Sequence, residues 1–202
     1  MLLQLPFQTV TPSLDGEVLH SLARARETFT VTWLEALLPS RSPSGIRRVL
    51  ERLVTQGVVD EIRIGRAVGY RLNTEHLAAG PIIALARLRE AFVERLRGEI
   101  ETWAEQPECV ALFGSGATGE MTEASDIDLF FVRPAHASPE FDDQVHALAA
   151  TARRWTGNVV NPLILDVDHI HAHGPAEPVL ADIAEHGIAV IGDIRALRGA
   201  VR

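Results

Sequence analysis

Two aspartates separated by one residue follow shortly after a glycine-rich segment. Asp126 and Asp128 flank Ile127 at the start of an apolar run, and Gly114–Gly119 follows a second apolar run, Cys109–Phe113. Residues i and i+2 of a β-strand point to one face, so we expect the two carboxylates to converge. Close carboxylates repel each other unless a cation lies between them, and hard oxygen ligands favour Mg²⁺. The spacing therefore predicts that Asp126 and Asp128 hold a magnesium ion.

The glycine-rich segment is typical of a phosphate-binding turn. Such a turn leaves backbone N–H groups free to hold phosphate, and the Ser115 hydroxyl adds a donor. A triphosphate beside Mg²⁺ held by carboxylates is the arrangement for in-line transfer of a nucleotidyl group. Asp126 and Asp128 are therefore the candidate catalytic and metal-binding residues. The candidate nucleotide-binding residues are Gly114, Ser115, Gly116 and Ser125.

A dinucleotide-binding fold is the alternative, because Gly114, Gly116 and Gly119 also match the spacing G-x-G-x-x-G after a strand. That fold needs a full helix after the glycines and an acid about 20 residues further on. Only Glu120–Ser125 separate the glycines from Asp126 and the next strand. This spacing argues against the dinucleotide interpretation.

Taken together, Gly114-Ser115 and Ser125-Asp126-Ile127-Asp128-Leu129 resemble the minimal nucleotidyltransferases of the DNA polymerase beta superfamily. The resemblance covers roughly residues 92–192, including a closing helix-to-strand segment that ends at Gly192. It implies an α/β (α+β) nucleotidyltransferase-like domain that binds NTP and Mg²⁺. It also implies transfer of a nucleoside monophosphate to a hydroxyl acceptor, which the sequence does not identify.

The sequence departs from that family at two positions. Thr118 stands where the family's loop often has arginine, and the family's third carboxylate should lie in the strand Val159–Leu165, which contains none. Asn161 aligns with that position, while Asp166 and Asp168 could substitute only in another strand register. An amide cannot accept the proton of an attacking hydroxyl. Phosphate and metal binding could therefore persist while catalysis is weak or absent.

The first part of the chain predicts three helices followed by a hairpin. The helices begin near Asp15, near Thr30 or Thr32, and at Ser42-Pro43, and the strands Val58–Ile64 and Val68–Leu72 follow. This order resembles the winged helix-turn-helix of small bacterial regulators over roughly residues 14–73. The resemblance implies a smaller N-terminal domain, residues 1–80, whose third helix enters the DNA major groove.

Charge supports a nucleic-acid contact in this first part only. Residues 41–71 hold 7 arginines and 3 acids, net +4, whereas residues 81–202 carry net −9. A solvated face in a protein-interaction wing remains the alternative. The arginines expected to meet phosphates or bases are Arg41, Arg47, Arg48, Arg52 and Arg66, with Arg63 and Arg71 also on the wing.

The remaining segments complete the predicted organisation. An apolar stripe indicates one connecting helix over 81–106, which packs in the core or forms a dimer seam, and the second domain spans 107–202. The alternating His169, His171 and His173 invite a zinc interpretation, but the pattern fits a polar loop better. Cys109 reads as a buried strand residue.

Composition favours a cytoplasmic, bacterial protein. The chain has one cysteine, no lysine, no signal-peptide pattern and no run of 18 apolar residues, so we expect no membrane association. Two other functions stay open. A transcription regulator could sense a nucleotide through a degenerate domain, or an antitoxin-like protein could modify or mask a helical toxin-like partner.

Overall fold

The computed structural model describes residues 1–25, 27–173 and 177–197. The chain forms two compact units. The first unit is Leu5–Leu88, and the second unit joins Met1–Gln4 to the chain from Arg89 onward. Among the described residues, no helix is long and apolar enough to cross a membrane.

The unit Leu5–Leu88 is mostly helical. Its elements are α1 (Phe7–Val10), α2 (Leu14–Arg24), α3 (Val31–Leu37), α4 (Pro43–Thr55), β1 (Val59–Ile64), β2 (Ala67–Leu72) and α5 (Ala79–Ala86). The helix starts follow from side-chain caps. The hydroxyls of Ser13, Thr30 and Ser42 each accept a backbone N–H three residues on, which satisfies one unpaired donor of the first turn.

A hairpin closes this unit. Strands β1 and β2 pair antiparallel from Val59–Leu72 to Ile64–Ala67, and Gly65 takes φ 62° at the turn. Phe29 forms an additional bridge with Tyr70 of β2. The core beneath is apolar and contains the residues that the helical spacing predicted, including Val18, Leu22, Ile46, Leu50 and Leu53.

The other unit alternates helices and strands. Its elements are α6 (Leu88–Ile100), β3 (Cys109–Phe113), α7 (Ser115–Thr118), β4 (Ile127–Arg133), α8 (Glu140–Thr156), β5 (Val160–Asp166), α9 (Val167–His173), α10 (Pro178–His186) and β6 (Ile188–Ile191), followed by a 3₁₀ turn, Ile194–Ala196. The second domain is thus mixed α/β, as the sequence predicted.

The sheet of this unit has the strand order β5-β4-β3-β6. Strand β3 pairs antiparallel with β4 and β6, whereas β4 and β5 are parallel. The antiparallel pairing of β3 and β4 excludes the dinucleotide-binding interpretation, because that fold needs parallel strands joined by a full helix.

Alternation along the strands divides the sheet into two buried faces. On one face, Val110, Leu112 and Leu129 join a core with residues of α6 and α8. On the opposite face, Ala111 and Phe130 join a second core with residues of α9 and α10. Asp128 and Phe130 are two residues apart in β4, so the side chain of Asp128 lies on the same face of the sheet as that of Phe130.

Pro162 lies inside β5 without breaking it. The Ile127 N–H donates to the Val159 carbonyl, so in this parallel pair the odd-numbered residues of β5 point their backbone groups toward β4. The backbone of Pro162 therefore faces the free edge of the sheet. A missing N–H costs no ladder hydrogen bond there, which explains why proline is tolerated.

Two sequence expectations are wrong. The single helix over 81–106 is two helices that end and begin around Arg87, because their apolar residues enter different cores: Ala86 packs in the first unit and Phe92 in the second. The expected polar loop around His169 and His171 is helix α9, anchored by the buried Ile170.

Candidate functional site

Asp126, Asp128 and Asn161 come together at one end of the sheet. Asp126 directly precedes β4, and Asp128 is the second residue of that strand. Asn161 is the register partner of Asp128 on β5, and its Nδ2 donates to Asp126 Oδ2 at 3.1 Å. The structure therefore places the amide beside both carboxylates, in the register that the sequence predicted.

Gly114 lets the backbone approach Asp128 closely. Its φ is 60° and its ψ −148°, a conformation that residues with a β-carbon rarely adopt. A β-carbon at this position would lie 2.9 Å from Asp128 Oδ2. Glycine is thus required both by the backbone and by the carboxylate that fills the space beside it.

The glycine-rich segment folds into a single helical turn. Gly114 O accepts hydrogen bonds from the N–H groups of Ala117 and Thr118, and Ser115 O accepts those of Gly119 and Glu120. The N–H groups of Ser115 and Gly116, at the start of the turn, have no partner within it. The Ser115 hydroxyl makes no hydrogen bond with any residue that the structure describes. These donors lie next to Gly114 and hence near Asp128.

The environment of Asp128 disfavours its charge. Partial burial raises the pKa of the Asp128 carboxyl, the hydrogen-bonding Asn161 amide opposes that rise, and the nearby Asp126 charge adds to it. Because the carboxylate remains only half-buried, a cation can reach it. A divalent cation between Asp126 and Asp128 would offset the repulsion, which adds to the effect of burial on this pKa.

Ser125 has a different environment from the other candidate nucleotide-binding residues. Its hydroxyl accepts the Thr122 N–H at 2.9 Å and lies 3.2 Å from the Thr122 hydroxyl. Its carbonyl accepts from Asn158 Nδ2 at 2.9 Å. The side chain of Ser125 therefore stabilises the turn that leads into Asp126, and the Asn158 side chain holds the same turn through the Ser125 carbonyl. The sequence did not indicate this role of Asn158.

Asp166 and Asp168 lie away from this cluster. Asp166 pairs in register with Arg133, at the other end of β5 from Asn161, and its Oδ1 is 3.4 Å from Arg133 Nη1. Asp168 is exposed in α9. Thr118 is exposed in the short turn α7 and has no guanidinium to offer a phosphate.

His169 and His171 form no metal site with the other residues that the structure describes. His169 and His171 are two residues apart on a helix, so their side chains diverge, and His169 instead lies 3.1 Å from Glu177 Oε1. The side chain of His173 lies outside the described residues. Among the described residues, no group of three or more His, Cys, Asp or Glu side chains could hold a metal ion.

The predicted DNA-contacting arginines divide into two groups. Arg41 makes a bidentate ion pair with the largely buried Glu17, at 2.7 and 2.6 Å, and Arg52 pairs with Asp15 and donates to Gln56. These two arginines connect helices within their own unit. Arg71 of the hairpin pairs with Asp60 at 3.2 Å. Three others are exposed and form no ion pair with any described residue: Arg47, Arg48 and Arg66.

Comparison with known proteins agrees with the site in the second unit. Residues 92–184 match the family model described as a nucleotidyltransferase domain. This match agrees with the resemblance that the sequence predicted over roughly residues 92–192. The matched residues include the glycine turn, both aspartates and Asn161.

Two solved structures are also similar. One is a crystal structure of a toxin–antitoxin with AMP-PNP, at 16% identity and a TM-score of 0.38, covering 55% of this chain and 80% of that chain. The other is assigned as a nucleotidyltransferase from Sulfolobus solfataricus, at 19% identity and a TM-score of 0.29, covering 50% and 80%. No curated protein matches the sequence.

Proposed function

We propose that the second unit binds NTP with Mg²⁺ and transfers a nucleoside monophosphate to a hydroxyl acceptor. The observation that carries the proposal is the convergence of Asp126 and Asp128 beside a glycine turn with free donors. Asp128 fills the space that Gly114 leaves, so the carboxylates and the turn form one continuous surface. That surface offers oxygen ligands to a cation and N–H donors to phosphate.

The residues present fit a magnesium ion. The two carboxylates form a hard oxygen donor pair, and Asp128 is only half-buried, so a cation can reach it. Mg²⁺ is usually bound by one or two carboxylates together with substrate phosphates. Bound there by Asp126 and Asp128, it would supply charge neutralisation for the triphosphate.

The protein's own groups would orient the reaction. The Ser115 hydroxyl and the N–H groups of Ser115 and Gly116 would hold phosphate oxygens, while Asp126 and Asp128 fix the cation. In the transfer, the acceptor oxygen bonds to the α-phosphorus, the bond to pyrophosphate breaks, and the hydroxyl proton must leave. Asn161 cannot take that proton, because an amide is not a base at neutral pH.

Incubation with labelled NTP and Mg²⁺ tests this proposal, with and without Asp126→Ala and Asp128→Ala. Transfer to an acceptor, or NTP binding measured by calorimetry, should be lost in both variants. Asp168→Ala is the matched control, since this exposed aspartate is outside the cluster, and it should behave as wild type. Equal NTP·Mg²⁺ affinity in wild type and in the Asp126→Ala/Asp128→Ala double variant would refute the proposal.

A nucleotide sensor is the second candidate, and Asn161 favours it. With an amide where a proton acceptor is needed, NTP binding can persist while transfer is slow or absent. Asn161→Asp then discriminates between the two functions. If the wild type binds NTP without transferring it and Asn161→Asp raises transfer, the domain is a sensor. Robust wild-type transfer that is insensitive to Asn161 would instead support an enzyme.

We also propose that Leu5–Leu88 is a winged helix that contacts DNA. The support is the order of three helices and a hairpin, and the net charge of +4 over residues 41–71. Arg47 and Arg48 lie on α4, and Arg66 lies at the tip of the hairpin. Their exposure without ion pairs leaves them available to phosphates. Arg41 and Arg52 contribute by holding the helices together.

Duplex binding at increasing salt tests this second proposal. Replacing Arg47 and Arg48 by alanine should lower the slope of log affinity against log salt by about two, since about one counterion is released per phosphate contact. Arg153→Ala/Arg154→Ala, on α8 of the other unit, is the matched control. An unchanged slope in the Arg47/Arg48 variant would remove these residues from the interface.

A further inference from the structure

The first residues of the chain lie beneath the glycine turn. Leu3 is 1% exposed, and its Cδ1 lies 3.7 Å from the position that a β-carbon on Gly116 would occupy. Gln4 Cβ lies 3.6 Å from the corresponding position at Gly119, and Gln4 Nε2 donates to Met121 O at 2.8 Å. Two consecutive residues thus contact the turn at its start, at its end and just beyond it.

This part of the backbone needs such support. Gly114 and Gly119 both have positive φ, at 60° and 83°, and glycines lose more conformational freedom on folding than other residues. The turn contains only four helical residues, too few to be stable alone. Its position must nevertheless be fixed closely, since the Asp128 carboxylate packs directly against Gly114. Contacts from outside the turn must therefore hold it.

We infer that Leu3 and Gln4 are positioning residues of the phosphate-binding turn. Leu3 supports Gly116 from the core, and Gln4 ties the end of the turn by its hydrogen bond to Met121. Their effect on nucleotide affinity would be indirect: a turn already held in its binding conformation loses less freedom when phosphate binds. The affinity part of this inference rests on the proposed function, whereas the ordering of the turn does not.

Amide hydrogen exchange without nucleotide tests the ordering directly. Gln4→Ala removes the hydrogen bond and should speed exchange of the hydrogen-bonded amides of residues 117–120 about five-fold, the effect of one neutral hydrogen bond. Gln4→Glu keeps the side-chain length but sets a carboxylate against the Met121 carbonyl, so it should speed exchange at least as much. Gln8→Ala, which truncates a second partly buried glutamine outside this turn, should leave the exchange unchanged.

Calorimetry with ATP·Mg²⁺ tests the consequence for binding. Gln4→Ala should weaken affinity by a similar factor of about five while the melting temperature stays close to that of wild type. Leu3→Ala should act more strongly, and Leu148→Ala, a buried leucine of α8 in the same core, controls for the loss of core volume. Leu148→Ala should lower stability without selectively speeding exchange at residues 117–120.

The outcomes separate the inference from the proposed function. Unchanged exchange at residues 117–120 in Gln4→Ala, or a uniform rise across the whole unit, would overturn the positioning role. If wild type binds no ATP·Mg²⁺, the proposed function fails, and the exchange comparison still decides whether Gln4 orders the turn. If wild type binds and Gln4→Ala binds equally well, the affinity part of the inference is wrong.

Discussion

Replacing Gly114 by alanine should be costly for two separate reasons. The backbone at φ 60° and ψ −148° lies in a region that is essentially restricted to glycine, which costs about 1–3 kcal/mol for another residue. The new β-carbon would also lie 2.9 Å from Asp128 Oδ2, so the carboxylate must move by a few tenths of an ångström. The first effect lowers stability, and the second displaces a proposed metal ligand.

The size of the change can be estimated for a thermal melt. For a chain of this length, 1 kcal/mol corresponds to roughly 2–4 °C, so Gly114→Ala should lower the melting temperature of its unit by about 2–12 °C. Gly98→Ala is the matched control. Gly98 is exposed in α6 with no atom within 4 Å of an added β-carbon, so alanine should stabilise the helix by about 0.5–1 kcal/mol.

The two glycine variants should therefore shift the melt in opposite directions. Calorimetry with NTP·Mg²⁺ then separates strain from the loss of the site. The affinity of Gly114→Ala for NTP·Mg²⁺ should be reduced even at temperatures where the variant is folded, because Asp128 is displaced. Gly98→Ala should bind NTP·Mg²⁺ with the affinity of the wild type. A Gly114→Ala protein that melts at or above the wild-type temperature would refute the backbone argument.

Three further predictions concern single side chains. The pKa of Asp128 is raised in the folded state, so ionisation of this carboxyl lowers the stability of the protein as pH rises through that pKa. Asp128→Asn, measured in EDTA, should therefore raise the melting temperature at pH 7. This gain should vanish below about pH 4, where the carboxyl is protonated in both the folded and the unfolded protein. Burial raises the pKa of the Cys109 thiol to about 11. Iodoacetamide at pH 8 should thus label it at least about 100-fold more slowly than a free thiol, and rapid labelling of the native protein would contradict its burial. Arg41→Ala should lower the melting temperature by leaving the largely buried Glu17 unpaired, whereas Arg47→Ala should leave it unchanged; equal melts would show that the ion pair is not structural.

Local signals in the sequence predicted most of the regular elements. Ser42 followed by proline fixed the start of α4, and Gly65 fixed the turn between β1 and β2, since these residues act through their own backbone or side chain. The break at Arg87 has no comparable local signal, because neither glycine nor proline lies there. It follows from tertiary packing, in which neighbouring turns of helix enter different cores. The sequence does not predict helix α9, because the alternating His169, His171 and His173 favour a polar loop and the buried Ile170 alone is a weak helical signal.

The site shows the same division between local and long-range information. The i, i+2 spacing of the aspartates was sufficient to place them on one face, and Asn161 could be aligned because it lies in the predicted strand Val159–Leu165. The contacts of Leu3 and Gln4 could not be predicted, since they join residues more than 100 positions apart and carry no motif. The roles of Arg41 and Arg52 were also hidden, because charge alone does not distinguish an ion pair from a free cation.

The position of Leu3 in the core affects how the chain can acquire its structure during synthesis. The core residues of the unit Leu5–Leu88 all come from one continuous segment of the chain, so that unit can fold as soon as this segment has been synthesised. Leu3 is synthesised before them, yet the core that it joins also contains Leu112 and Ile127, which follow roughly 110–125 residues later. At a synthesis rate of about 5–20 residues per second, those strands are made roughly 5–25 seconds after Leu3. The unit that contains the sheet can thus complete its core only when Leu3, made before the unit Leu5–Leu88, packs with strands made after that unit.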